Sequence, residues 1–145
     1  MGWVKALAGK IVVLDTAPLI YYVEENSAFL DRVRPFFEAL ERAEFSALTS
    51  TLTIAELLVK PLQLGRADQV HTFRELLAEY VEIVPVTYEI AELAAQLRAD
   101  HNFRTPDAIQ IATAVSSQAD AFLTNDARLA RFKQLEVLVL SDLTD

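Results

Sequence analysis

Short runs of β-branched and apolar residues recur along this chain, and each is followed by a segment whose apolar residues return every three or four positions. That alternation limits the fold more than any other feature, because strands separated by helices close into a mainly parallel sheet. The strand candidates are "IVVL" (11–14), "EFSALTS" (44–50), "VEIVPVT" (81–87), "AFLT" (121–124) and "EVLVL" (136–140). Helical spacing fills the intervals in "TAPLIYYVEEN", "SAFLDRVRPFFEALERA", "TLTIAELLVKPLQLG", "RADQVHTFRELLAEY", "TYEIAELAAQLRADHN", "TPDAIQIATA" and "ARLARFK". Local rules place Ser27 as N-cap of the second helix, with Pro35 kinking or dividing it, and close "TLTIAELLVKPLQLG" at Pro61 and Gly65. They place Thr105 as N-cap and Pro106 as first residue of the helix that carries Asp107. The expected class is α/β, a central mainly parallel sheet with helices on both faces.

With 145 residues the chain is expected to form one domain over 1–145. Hydrophobic residues make up 52% of it, with 3 glycines and 5 prolines, a balance that opposes disorder and leaves apolar surface for a second copy or another chain. There is no cysteine, so disulfides, thiolate metal sites and cysteine nucleophiles are excluded. The start, "MGWVKALAGK", has no signal-like apolar stretch, and no run approaches the ~18 apolar residues of a membrane span. A soluble cytoplasmic protein without membrane attachment is expected. The net charge of −8 opposes a general nucleic-acid binder, which carries a basic face.

Four acids stand out by position. Asp15 follows the first strand and Asp126 follows "AFLT", and in parallel α/β sheets ligands bind outside the carboxyl ends of the strands. Glu56 and Asp107 lie near the starts of helices that begin at the same rim. Taken singly, each has a structural explanation: Asp15 and Asp126 as caps, Asp107 as a first-turn anion favoured by the helix dipole, Glu56 as a solvated residue. That explanation is weakest for Glu56, whose neighbours in "LTIAELLV" are apolar and predict a buried carboxylate in need of a partner. Carboxylates brought together repel unless cations offset them, and an oxygen-only cluster selects Mg²⁺ or Mn²⁺. Such ions support phosphodiester hydrolysis by water, and they would offset part of the negative charge. Asp120 sits about 20 Å away, at the opposite end of its strand, and is a poor candidate.

"IVVLDTAPLI", "TLTIAELL", "RTPDAIQIATA" and "DAFLTNDARL", in that order across nearly the whole chain, resemble the PIN-domain ribonucleases, especially the VapC toxins of toxin–antitoxin modules. The resemblance implies a PIN-like fold with the family's acids at Asp15, Glu56, Asp107 and Asp126. It implies Mg²⁺- or Mn²⁺-dependent cleavage of RNA, a homodimer, and inhibition by a VapB-type antitoxin. Thr124 and Asn125 match polar residues that support the metal shell ahead of the last acid, and Thr16 follows the first acid in the same way. Turn and cap chemistry explains these three equally well. Arg104 is open to a role on phosphate or on an antitoxin carboxylate. Residues 1–10 have no role in the pattern.

Other carboxylate-bearing α/β classes fit less well. A haloacid-dehalogenase-type phosphatase needs an aspartate at position 17, which is alanine. A receiver domain needs a lysine after a late strand, and "LTNDAR" has none. His71 and His101 lack metal-binding spacing. The remaining alternative is a non-catalytic PIN-like module that uses the acidic site to bind a basic partner.

Overall fold

The computed structural model describes residues 2–144. Five strands, β1 (Ile11–Leu14), β2 (Ser46–Ser50), β3 (Val81–Val84), β4 (Ala121–Thr124) and β5 (Glu136–Val139), form one sheet in the order β3-β2-β1-β4-β5. Every pairing is parallel, with Val13 opposite Leu48 on one side and Leu14 opposite Leu123 on the other. Chain order runs outward from β1 to one edge, then returns to its other flank. The order therefore reverses between β1 and β4, which opens a crevice at their carboxyl ends.

Helices α1 (Gly2–Lys5), α2 (Thr16–Val23), α3 (Leu30–Glu41), α4 (Thr51–Gln63), α5 (Ala67–Tyr80), α6 (Tyr88–His101) and α7 (Thr105–Ser116) complete the expected α/β architecture, with helices on both faces of the sheet. The period-2 alternation of the strands sorts them onto two faces. Val12, Leu14, Ala47 and Leu123 pack on one side with Leu19, Phe36, Phe37, Leu57 and Phe73 from α2 to α5. Val13, Leu48 and Phe122 pack on the other with Ile90, Leu97, Ala108 and Ile111 from α6 and α7. β1, β2 and β4 are buried on both faces, and in β1 and β4 the side chains read accordingly as nearly continuous apolar runs. Among the described residues, no helix is long and apolar enough to cross a membrane.

Several local expectations are corrected. Ser27 does not cap α3, whose first turn follows Phe29. Asn26 organises the approach instead, its carboxamide oxygen accepting the N–H groups of Ala28 (2.8 Å) and Phe29 (3.1 Å). Pro35 leaves α3 undivided, and Pro61 lies inside α4, where its carbonyl accepts Arg66 N–H. The stop falls near Gly65, whose φ of +66° suits glycine. Helix α7 has Arg104, not Thr105, at its N-cap, with no side-chain cap. "ARLARFK" forms a 3₁₀ turn over Ala127–Arg131, not an α-helix.

Within residues 2–10, Trp3 and Leu7 acquire a role. The Trp3 ring stacks on Phe36 with centroids 5.8 Å apart, and Leu7 is only 2% exposed within the core that α3 completes. Leu7→Ala is thus expected to lower stability by about 2–5 kcal/mol, the usual cost of emptying a buried leucine site. Chemical unfolding measures it, and a loss below about 0.5 kcal/mol, the scale of an exposed substitution, would detach this segment from the core.

Candidate active site

The β1/β4 register builds the first half of the site. Continuing the ladder one residue beyond β1, Asp15 N–H donates to the Leu123 carbonyl at 2.9 Å. This places the Asp15 carboxylate beside the end of β4. Its Oδ1 accepts Thr16 N–H at 2.9 Å, capping α2, and its Oδ2 accepts the Thr124 hydroxyl at 2.7 Å. The same hydroxyl oxygen accepts Asp126 N–H at 3.1 Å. Thr124 thereby fixes both strand-end acids.

The second half comes from α4 and α7. The Thr16 hydroxyl donates to Glu56 Oε1 at 2.6 Å, tying α4 to the start of α2. Glu56 is exposed, against the expectation of burial, because Thr53 and Leu57 turn to the core while it lies on the side of α4 that lines the cleft. Asp107 is buried, and its Oδ2 accepts Arg104 Nε–H at 3.0 Å. Asp126 receives Arg128 through two contacts, Nε to Oδ1 at 3.0 Å and Nη2 to Oδ2 at 2.6 Å. All four acids, with Thr16, Tyr21, Arg104, Gln110 and Asn125, line one open cleft of about 450 Å³ at the switch point.

Beneath the cleft lies a wholly buried polar network that the sequence reading missed. Thr49 Oγ1 donates to the Leu14 carbonyl at 2.8 Å and contacts Thr53 Oγ1 at 2.7 Å. Gln110 Nε2 donates to Thr53 Oγ1 at 2.7 Å, and its Oε1 accepts the Ser50 hydroxyl at 3.0 Å. Thr49, Ser50, Thr53 and Gln110 are each at most 1% exposed. Buried hydroxyls and amides are stable only when paired, and here the pairing locks β1, β2, α4 and α7 together. The available signal was polar residues at core-facing positions in "SALTSTLT" and "DAIQIA".

Electrostatics divides the acids. Burial pushes the Asp15 carboxyl above its ordinary pKa, the bonds from Thr124 and Thr16 oppose this, and repulsion from Asp107 and Glu56 adds to it. Asp126 moves the other way, held below the ordinary carboxylate range chiefly by its hydrogen bond from Arg128. Among the described residues, no three carboxylate, imidazole or thiolate groups converge as they stand into a set that could hold an ion. Asp107 and Asp126 are turned onto arginines. The cleft's charged donors are nonetheless all carboxylate oxygens, the chemistry that suits a hard divalent cation.

The other sequence candidates fall into place around this cleft. Asn125 is tied to the scaffold: its Nδ2 donates to the Tyr21 hydroxyl at 3.1 Å and its Oδ1 accepts Ser141 N–H at 3.0 Å. Asp120 sits at the amino end of the sheet, accepting Ile11 N–H at 2.8 Å. His71 pairs with Glu75, and His101 packs against Phe103 and Phe132.

Comparison with solved structures finds the same fold repeatedly. A VapBC2 complex from Rickettsia felis bound to a promoter DNA fragment matches with TM-score 0.71 and 18% identity, over 88% of this chain and 96% of that one. A toxin–antitoxin complex from Klebsiella pneumoniae matches with TM-score 0.69 and 24% identity, over 89% and 97%. The sarcin-ricin loop cleaving toxin VapC20 of Mycobacterium tuberculosis matches with TM-score 0.68 and 15% identity, over 84% and 95%. No curated protein matches the sequence. The PIN domain family model matches residues 12–135, from the first strand to the threshold of the last and across all four acids. The chain belongs to the PIN domain family.

Proposed function

We propose that this protein is a divalent-cation-dependent endoribonuclease of the VapC type, with Asp15, Glu56, Asp107 and Asp126 as the acidic centre and Mg²⁺ or Mn²⁺ as cofactor. The observation that carries the reading is the convergence of these four acids on one cleft at the switch point of a PIN domain. The likeness to VapBC complexes and to a sarcin-ricin loop cleaving toxin supports RNA as substrate and a VapB-type antitoxin as partner. A homodimer belongs to the same reading.

Asp15, held by Thr124 and Thr16, and Asp107, seated on the α7 start above Gln110, are donors carried on fixed backbone. Glu56, oriented by the Thr16 hydroxyl, is the exposed acid of the set and would complete the acidic centre from the α4 side. A divalent cation bound there would supply charge stabilisation of the phosphate and ease deprotonation of water. The pairing of β1 with β4 and the buried network hold the backbones that carry these groups in place without substrate, so that only the side chains resting on arginines, those of Asp107 and Asp126, have to turn.

The antitoxin-free protein is expected to cleave RNA only with Mg²⁺ or Mn²⁺, leaving 5′-phosphate and 3′-hydroxyl ends. Asp107→Asn should abolish cleavage and reduce the thermal stabilisation that Mn²⁺ gives. A 2′,3′-cyclic phosphate at the cleaved end would reject water as nucleophile. Mn²⁺ binding without any cleavage would favour the non-catalytic binding module.

Asp15 gives a prediction independent of catalysis. Its folded pKa lies above the unfolded one, so the ionised group destabilises the metal-free fold at neutral pH. That penalty is lost as pH falls through the raised pKa toward the unfolded value. Asp15→Asn in chelator is therefore expected to melt above wild type at pH 7 and to lose the advantage in the acidic carboxylate range. Equal or lower melting temperatures at every pH would show that the Thr16 and Thr124 bonds outweigh desolvation.

A further inference from the structure

Two acids of the cleft already have cations. Arg104 and Arg128 reach Asp107 and Asp126 from positions whose side chains are 64% and 63% exposed, whereas the carboxylates they meet are only 12% and 24% exposed. Each guanidinium thus lies over its acid from the solvent side. An exposed arginine is held there by little more than that contact, which the surrounding water screens. The two pairs are also close enough to act on one another, Arg104 helping to lower the Asp126 carboxyl and Asp107 helping to raise the Arg128 guanidinium. Two arginines and two acids form one charge-balanced group at the edge of the cleft, which Arg104, Asp107 and Asp126 line.

Resting on the metal-dependent reading above, we propose that Arg104 and Arg128 are exchangeable counter-ions. A divalent cation entering the cleft takes Asp107 and Asp126 from them, and the freed guanidinium groups become contacts for the phosphates of the RNA strand. The chemistry favours the exchange in that order. A small dication shared among several carboxylates has more electrostatic attraction to them than one delocalised monovalent group has to each. A released guanidinium presents the planar fork that phosphate oxygens accept in pairs. The four acids and two arginines carry a net charge of −2, so one bound dication neutralises the group and leaves both guanidinium groups free for phosphate, which a chain of net charge −8 otherwise repels.

The wild-type protein tests the exchange directly. The Nε–H groups of Arg104 and Arg128 both donate to the acids, while those of Arg98 and Arg42 donate to the Phe103 carbonyl and to Glu44. In an ¹⁵N-resolved Mg²⁺ titration without RNA, the first two signals are expected to move together with the backbone amides of Thr16 and Asp126, and the last two to stay. Single-stranded RNA, checked intact after measurement in Ca²⁺, should bind wild type more tightly than in chelator. In the double variant Arg104→Gln, Arg128→Gln, Mn²⁺ should bind about fivefold or more tighter by calorimetry, and RNA in Ca²⁺ about tenfold weaker than wild type. If the amides move but both arginine signals stay, or the variant gains no Mn²⁺ affinity, or its RNA affinity equals wild type, the exchange is wrong and the metal reading survives. If neither wild type nor variant binds Mg²⁺ or Mn²⁺ at all, the metal reading fails and the exchange with it.

Discussion

The parallel pairing of β1 with β4 is the constraint from which the rest of the site follows. These strands are distant in sequence, yet Leu14 lies opposite Leu123 and the ladder extends to Asp15 N–H. A slip of one residue would exchange the sets of side chains that a strand presents to the two layers. It would also separate Asp15 from the Thr124 hydroxyl. Because both strands are buried on both faces, the register is held by packing on two layers, and the acid at the end of β1 inherits that rigidity.

Rigidity is needed because the site opposes the fold. A buried Asp15 near Asp107 and Glu56 is an unfavourable arrangement of like charges. It persists because the surroundings overdetermine it. Thr49, Ser50, Thr53 and Gln110 are paired without an orphan, and among the described residues no buried side-chain polar atom lacks a partner. A fully satisfied polar network specifies one arrangement of the elements it joins, since any shift would strand a buried donor. The network thus holds α4 and α7, the bearers of Glu56 and Asp107, at fixed positions relative to β1.

Much of this was legible from the sequence, for identifiable reasons. Strand runs such as "IVVL" and "AFLT" are short, apolar and bounded by polar residues, so their ends could be read and with them the rim on which Asp15 and Asp126 sit. The helix ends expected at Ser27, Pro61 and Thr105 depend on competition between neighbouring cap formers; the caps at Phe29 and Arg104 follow from backbone geometry that composition does not encode, while Gly65, named with Pro61 from the sequence, does mark the stop of α4. Glu56 was expected to be buried because its neighbours are apolar. A helix that presents one face to the core can keep a single charged position at its edge. The buried network escaped notice because threonine, serine and glutamine read as surface residues unless their partners are known. Arg128 escaped because its partner, two residues back, was considered as an acid of the cleft and not as half of an ion pair.

Whether an acid at a helix start is a cap or a ligand turns out to have no single answer in this molecule. Asp15 is a cap on one oxygen and is held by Thr124 on the other, so the structural bond orients the carboxylate that faces the cleft. Asp126 likewise accepts Arg128 N–H at 3.0 Å at the start of its 3₁₀ turn while its side chain lines the same cleft. Capping and chemistry are compatible here because a carboxylate has about four lone-pair sites and a cap uses one. Asp107 differs, since α7 has no side-chain cap and the side-chain partner of Asp107 is an arginine that is largely in solvent. A buried carboxylate that serves no backbone donor gains little for its helix beyond the dipole. Its burial is therefore better explained by the cleft it faces than by the helix it begins.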